Sequence, residues 1–400
     1  MTAIKITSDK INDVVLCPTS KSYANRALIC ALLSEKTITI SDLPDAKDVA
    51  ELIDMFLEIG ININSSENSI TIAGHFPKDE VLTESIHYLT GSEGGTTLRF
   101  LIPLLALGSN CYHIKMLGGL GKRPMQDLVD YISSLGGLAQ IEGDIFIVKG
   151  PIDLSHKLIV DCSQTTQFAS GFKLLSAYTS LETKLINIEG SHKYLDMTDE
   201  VIRSLDLDTS YRVPYDASSL GYLVVHACIS QNLTIKNAIE KDSTQADSKI
   251  FDLFDDLGIN YSFSDKGLDV FGPSTFNGFE INGAECIDLV PTLIVLASFA
   301  NSKSIISNLK NLKFKESNRL EGILHILDHF SVEKRYHEDS DKLEIYPVHT
   351  HEKYSQLLEV EQDHRMIMAG ALMLKLRSGG ELSQSSAVSK SFSNFFEIFH

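Results

Sequence analysis

Two kinds of apolar spacing alternate along the 400-residue chain. In "DAKDVAELIDMFLEIG" (45–60), Val49, Leu52, Ile53, Phe56 and Leu57 share one helical face, which predicts an amphipathic helix. Asp45 is its candidate N-cap and Gly60 its stop. The following "ININSSENSITIAG" reads as two short strands around a polar turn. This unit returns at "RPMQDLVDYISSLGG" with "LAQIEGDIFIVKG", and more weakly at "YLDMTDEVIRSLD" with "LDTSYRV". It returns again at "QADSKIFDLFDDLG" with "INYSFSDKGLDVFG" and at "KESNRLEGILHILDHF" with "SVEKRYHEDSDKLEIYP". A last copy, "SKSFSNFFEIF", stops at the C-terminus. Between the copies lie helices that are apolar nearly all round, at 21–33, 95–107, 166–178, 217–229, 288–300 and 364–376. Such helices must be buried.

Six helix pairs alternating with short strands predict a repeated unit in an α/β (α+β) chain, divisible into two domains of three. The length supports two cores rather than one. A generic α/β enzyme with coincidental spacing is the bland alternative, and it explains less. No Ser/Gly linker marks a join. Cys17-Pro18 and "RVPYDASS" (212–219) punctuate the chain most strongly and are the expected hinges.

Charge narrows the choice of function. Lys and Arg total 35 against 53 Asp and Glu, a net charge of −18, which argues against nucleic acid as a general partner. The six cysteines form no C-x-x-C pair, and no signal peptide is visible at the N-terminus, which predicts reduced thiols and a cytoplasmic protein. No apolar run is long enough for a membrane helix. His349-Thr350-His351-Glu352 has the residue types of a metal site, but following Pro347 it reads better as a solvated loop.

Against this acidic background the placement of cations is informative. Lys21 and Arg26, Arg99, Lys122-Arg123, Lys315 and Arg319, Arg365 and Lys390 recur at helix starts or in glycine-rich turns. Helix N-termini offer free N–H groups to anions, and arginine adds bidentate geometry. Ser20-Lys21-Ser22 ends like a phosphate loop but lacks the glycines ahead of the lysine, so side chains rather than bare backbone would hold the anion. Thr165, Thr166 and Gln167 open an apolar helix, either as a cap or as a phosphate contact. Asp288 in an apolar run is either a cap or a general base. Glu316, between Lys315 and Arg319, reads equally as an ion pair.

Eight of these motifs, in order, resemble the enolpyruvyl transferase family, in its branch acting on shikimate 3-phosphate. They are "PTSKSYANRAL", "EGGTTLRFL", "GLGKRPMQDL", "SQTTQFASG", "DLVPTL", "KFKESNRL", "DHRMIMAGAL" and "AVSKSF", and they cover nearly the whole chain. The resemblance implies a two-domain inverse α/β barrel with three βαβαββ repeats per domain and the active site in the interdomain cleft. The domains would be 18–214, and 1–17 plus 215–400. It implies transfer of the enolpyruvyl group of phosphoenolpyruvate to the 5-hydroxyl of shikimate 3-phosphate by addition and elimination, in a monomer without metal or organic cofactor.

Residue by residue, the resemblance implies that Lys21 touches both substrates. Ser22, Arg26, Thr165, Thr166, Gln167, Ser191, Tyr194, Asn311 and Lys315 would contact shikimate 3-phosphate. Gly95, Arg123, Gln167, Arg319, Arg365 and Lys390 would hold phosphoenolpyruvate. Asp288 would accept the proton of the attacking hydroxyl, and Glu316 or Lys21 would protonate the methylene carbon. Two phosphates and two carboxylates suit so many cations, and the addition needs one group to take a proton and another to give one.

The chain departs from the family pattern at Thr165-Thr166 (two serines), Glu93 (Asn in many relatives), Asn318 (Asp) and Ile287 (Pro). Of these, Glu93 bears on the phosphoenolpyruvate side. The nearest rival, UDP-N-acetylglucosamine enolpyruvyl transferase, has Lys-Asn where this chain has Lys21-Ser22, and a catalytic cysteine in the loop that here reads "LGGLGKRP". A catalytically silent paralogue that binds a phosphorylated ligand is opposed by intact Lys21, Asp288, Glu316 and Lys390.

Overall fold

The structure, a computed structural model, describes residues 3–74, 76–77, 86–188, 192–348 and 357–400. The chain forms two compact units, Met1–Pro18 with Tyr215–His400, and Thr19–Pro214. Each has its own apolar core.

Three nearly all-apolar helices fill the core of Thr19–Pro214: Lys21–Leu33, Gly95–Leu105 and Gln167–Tyr178. In the first, every residue after Lys21 and Ser22 is buried, so the only side chains left at the surface are at its front turn. The second core is built likewise around Ala217–Ser230, Val290–Ser298 and His364–Leu376. Asp288 thus lies in the turn ahead of its helix, not in its first turn.

The amphipathic helices carry a single apolar stripe. In Lys47–Glu58, Val49, Leu52, Met55 and Phe56 are buried, and Gly60 follows at φ 84°, a conformation that suits glycine. Asp45 does not cap this helix. Extended Ala46 occupies the cap position with no side-chain bond.

Sheet topology shows what the repeat builds. Ile86–Ser92 pairs parallel with Cys111–Met116, which pairs antiparallel with Ile145–Lys149, and that strand with Leu138–Glu142. The parallel step needs a crossover, supplied by the buried helix, and the antiparallel step a short turn. Glu280–Asn282, Ser304–Ser307, Lys342–Ile345 and Lys334–His337 repeat this order.

Other copies borrow strands. The segment "LDTSYRV" forms one strand, Ser210–Arg212, instead of two; it runs parallel to Thr37–Ser41 and so completes the first copy's sheet. In the other unit Val14–Val15 supplies the parallel partner of Leu233–Ile235. Ile4–Ile6 pairs antiparallel with Gly380–Leu382, where the last copy has no hairpin of its own. "SKSFSNFFEIF" accordingly holds only the end of a 3-10 turn, Ser386–Lys390, and a short helix, Phe395–Phe399.

Among the described residues no helix is long and apolar enough to cross a membrane. All six cysteine thiols are free.

One buried histidine couples this core to pH. His226 lies inside the helix Ala217–Ser230 with its ring edge-on to Phe399 at 5.5 Å. Burial, and secondarily Lys375, push its pKa down to about 4. Between about pH 6.5 and 4 the unfolded chain therefore takes up a proton that the folded chain refuses, so stability falls as pH falls through that window. The group's contribution is about 3 kcal/mol. Denaturant midpoints at pH 7 and pH 4.5 are expected to converge in His226→Gln relative to the parent; an identical pH dependence would refute this.

Candidate active site

Within Thr19–Pro214 the front turn of Lys21–Leu33 is the first focus. Ser20 is extended and its N–H donates to Pro214 O at 2.8 Å. Lys21 Nζ reaches Asp48 Oδ2 at 2.8 Å. Asp48 is buried in the first turn of Lys47–Glu58, where the helix dipole favours a carboxylate. Its carbonyl accepts from Thr97 Oγ1 at 3.2 Å, which ties it to the next helix.

Arg26 turns inward. It donates to Ser22 O at 2.8 Å, Thr198 Oγ1 at 2.8 Å, Tyr194 O at 3.0 Å and Ser170 Oγ at 3.4 Å, over the Phe100 ring. Burial lowers its pKa to about 10. Its donors serve the fold, and what it presents outward is the Lys21–Ser22 turn.

The second focus is the start of Gly95–Leu105. A methyl on Gly95 would lie 2.5 Å from Arg123 Nη1, so the Arg123 guanidinium packs closely over the start of this helix. Gly94 N–H donates to Ser92 Oγ at 2.8 Å. Arg99 is buried below, donating to Gln167 Oε1 at 2.6 Å and to Pro124 O, the residue after Arg123. Burial, then repulsion from Arg123, lower its pKa to about 9. Gln167 passes the chain on, donating through Nε2 to Thr96 Oγ1 at 3.0 Å and through N–H to Thr165 Oγ1 at 3.2 Å. Thr166 is the buried N-cap residue, though its side chain makes no cap bond. Arg99, Gln167, Thr165 and Thr96 thus form one polar cluster at two helix starts. The Tyr194 carbonyl accepts from Arg26 at 3.0 Å and from Thr198 Oγ1 at 2.8 Å. Ser191 lies outside the described residues.

The other unit gathers the second set. Asp288 Oδ1 meets Arg319 Nη1 at 2.8 Å, Lys315 Nζ at 3.4 Å and Arg365 Nε at 3.6 Å. Arg319 is held from behind by Asp363, at 2.8 Å from Nε to Oδ2 and 3.3 Å from Nη2 to Oδ1. Burial opposes the Arg319 charge, but Asp363 and then Asp288 outweigh it and raise its pKa. Burial likewise opposes the Asp363 charge, and Arg319 outweighs it, holding that carboxyl below the usual range.

Asp363 also caps its helix, accepting from Arg365 N–H at 2.9 Å. So Asp363 pairs with Arg319, and the nearest carboxylate to the Arg365 side chain is Asp288. Glu316 Oε2 lies 3.0 Å from His364 Nδ1 and 3.8 Å from Lys390 Nζ. Asn318 caps Arg319–His329, accepting from Glu321 N–H at 3.4 Å. Asn311 is half-buried in the turn Lys310–Phe314.

Among the described residues Glu316, Asp363 and His364 form the one grouping with metal-like spacing. Arg319 already neutralises Asp363, and Lys390 lies beside Glu316, so a metal ion would compete with two resident cations. The 349–352 segment lies outside the described residues.

A sequence model of the EPSP synthase (3-phosphoshikimate 1-carboxyvinyltransferase) family matches residues 6–209 and 204–399. The chain belongs to the EPSP synthase family. It is 24% identical to a 3-phosphoshikimate 1-carboxyvinyltransferase of Trichormus variabilis, over 99% of this chain and 98% of the relative. It is 28% identical to that of Chlamydia muridarum, over 94% and 89%. In fold it is similar to the EPSP synthase of Acinetobacter baumannii, with a TM-score of 0.74 at 18% identity over 98% of this chain and 96% of the other. It is equally similar to the enolpyruvyl transferase NikO of Streptomyces tendae, with a TM-score of 0.75 at 14% identity over 99% and 96%.

In this member of the EPSP synthase family, sequence reasoning missed four contributors. Asp48 looked like an ordinary first-turn acid, and its signal was only the polar break before Val49. His364, adjacent to Arg365, passed as a helix-start residue. Lys47 and Glu51 read as the solvated side of an amphipathic helix, yet both contact the 92–93 turn.

Proposed function

We propose that the chain transfers the enolpyruvyl group of phosphoenolpyruvate to the 5-hydroxyl of shikimate 3-phosphate, in aromatic amino acid biosynthesis. The observation that carries this reading, beside family membership, is Asp288. It is a half-buried carboxylate held by three cations ahead of a helix, with Glu316, His364 and Lys390 grouped in the same unit.

In the addition, Asp288 takes the hydroxyl proton as oxygen attacks C2 of phosphoenolpyruvate, and Glu316 or Lys21 protonates C3. The C2–O–phosphate bond then breaks, phosphate leaves, and a proton lost from the methyl group restores the enol ether. Arg319, Lys315, Arg365 and Lys390 offset the charge carried by phosphoenolpyruvate and its tetrahedral adduct. In the Thr19–Pro214 unit, Lys21, Ser22, Thr165, Thr166 and Gln167 contact the shikimate phosphate, with Arg123 at Gly95 on the phosphoenolpyruvate side. Arg26 contributes by holding the Ser22 carbonyl and so the turn. A cytoplasmic location is part of the reading, and the six free thiols are in keeping with it.

Purified protein is expected to release inorganic phosphate only when shikimate 3-phosphate and phosphoenolpyruvate are both present. Release with UDP-N-acetylglucosamine in place of shikimate 3-phosphate would reassign the acceptor. Binding of both ligands without turnover would point to a silent paralogue.

A further inference from the structure

One ammonium has two demands on it. Lys21 Nζ is paired with Asp48 Oδ2 at 2.8 Å, and it is also the group proposed to meet the shikimate phosphate. Each time it turns to that anion it leaves Asp48 behind. The Asp48 side chain is 3% exposed, and a carboxylate stranded at that depth is strongly unfavourable. The first turn of Lys47–Glu58 offsets part of the charge, while Glu51 and Asp48 repel each other. Nor can the carboxylate easily turn away, because a methyl on Gly94 would lie 2.9 Å from Asp48 Cγ.

A second oddity lies one turn along the same helix. Asn25 is 1% exposed, and neither end of its amide, Nδ2 or Oδ1, has a hydrogen-bond partner among the described residues. Asp48 Oδ1 is buried and unpartnered too. Asn25 follows Lys21 by four residues in Lys21–Leu33, so the two side chains share one helical face. The Asn25 side chain leans back over the turn that carries Lys21. That helix packs against Lys47–Glu58, the helix that bears Asp48. A buried amide with both ends unpaired does nothing for the core, where leucine would fill similar space without the cost. It makes sense as a partner kept for another arrangement of its neighbours.

We propose that Asn25 is a positioning residue for Lys21: its amide N–H takes over the Asp48 carboxylate when the Lys21 ammonium swings to the phosphate of shikimate 3-phosphate. This rests on the reading that Lys21 contacts that substrate. An amide suits the task because it satisfies the carboxylate without bringing a charge of its own. A hydrogen bond to a charged group is worth about ten- to a hundredfold in an equilibrium, and binding would lose that factor without the amide. With Asp48 made neutral, nothing is stranded and the amide ceases to matter.

The test is calorimetric binding of shikimate 3-phosphate to Asn25→Leu, Asp48→Asn, the two combined, and Lys21→Met. Binding is read directly, so a variant without turnover still reports. The Asn25 amide has no hydrogen bond to lose, so the thermal midpoint of Asn25→Leu should equal or exceed that of the parent. Asn25→Ala, which cannot overpack, takes its place if the leucine variant fails to fold. The expected result for Asn25→Leu is binding weakened about ten- to a hundredfold. In the Asp48→Asn background, adding Asn25→Leu should change the dissociation constant by less than about threefold. Parent-like binding in Asn25→Leu, or an equal loss in the Asp48→Asn background, overturns the inference. A midpoint lowered in step with binding in both the leucine and alanine variants makes Asn25 a structural residue and overturns it as well. Lys21→Met separates the two layers. If it binds like the parent, the reading of Lys21 falls and takes this inference with it. If it binds weakly while Asn25→Leu does not, only the inference falls.

Discussion

Asp288→Asn is expected to lower kcat by roughly 10²- to 10⁴-fold, the range for loss of a general base. The amide keeps the shape of the carboxylate but cannot accept the hydroxyl proton. Because Asp288 is partly solvated, and Arg319 keeps its second carboxylate in Asp363, the fold should survive with a small change in midpoint. KM values should change far less than kcat, since the missing interaction belongs to the transition state. Rapid-quench measurement of the first turnover separates chemistry from product release. Turnover within tenfold of the parent would remove Asp288 from the role of base.

Arg319→Met is expected to act on stability as strongly as Asp288→Asn acts on rate. The methionine strands Asp363, which is fully buried and keeps the Arg365 N–H at 2.9 Å, Ser317 Oγ at 3.2 Å and His364 Nδ1 at 3.7 Å. Breaking a buried pair from one side costs about 3–5 kcal/mol. The pH dependence should change sign. In the parent, the depressed Asp363 carboxyl contributes stability that is present above its unfolded pKa and is lost as pH falls through the folded value. In Arg319→Met, burial dominates and raises that carboxyl, so stability is lost as pH rises above the unfolded value, near 3.9. Adding Asp363→Asn should recover part of the loss. Denaturant midpoints at pH 5 and pH 8 read both effects. A single variant as stable as the parent at pH 8 would show that Asp363 is not stranded.

Much of this was legible in the chain because helix burial writes itself into local spacing. The six nearly apolar helices, and the cations at their mouths, are patterns within a dozen residues. Lys21 and Ser22 stood out because Ser20-Lys21-Ser22 ends like a phosphate loop that lacks its glycines. Asp288 stood out as a charge among apolar residues. What was not legible depends on partners far apart in sequence. Lys21 meets Asp48, Arg319 meets Asp363, and Glu316 meets His364, each across a turn of the fold rather than of a helix. Asp363 illustrates the difference. It lies two residues from Arg365 in sequence, yet its carboxylate faces Arg319 and its bond to Arg365 is to the backbone. Borrowed strands were hidden for the same reason, because a single strand of three residues carries no mark of which sheet it completes.

The strand Ile4–Ile6 has a consequence for how the chain is made. It is synthesised long before its partner Gly380–Leu382. At about 5–20 residues per second the gap is roughly 20 to 75 s. Throughout that interval Thr19–Pro214 is a continuous stretch able to complete its sheets from its own residues, while the strand ahead of it has no partner on the nascent chain. Synthesis therefore imposes an order in which the inserted unit matures first and the enclosing one closes last. Among substitutions of equal cost to the finished protein, those at the Ile4–Ile6 pairing would weigh most on yield during translation.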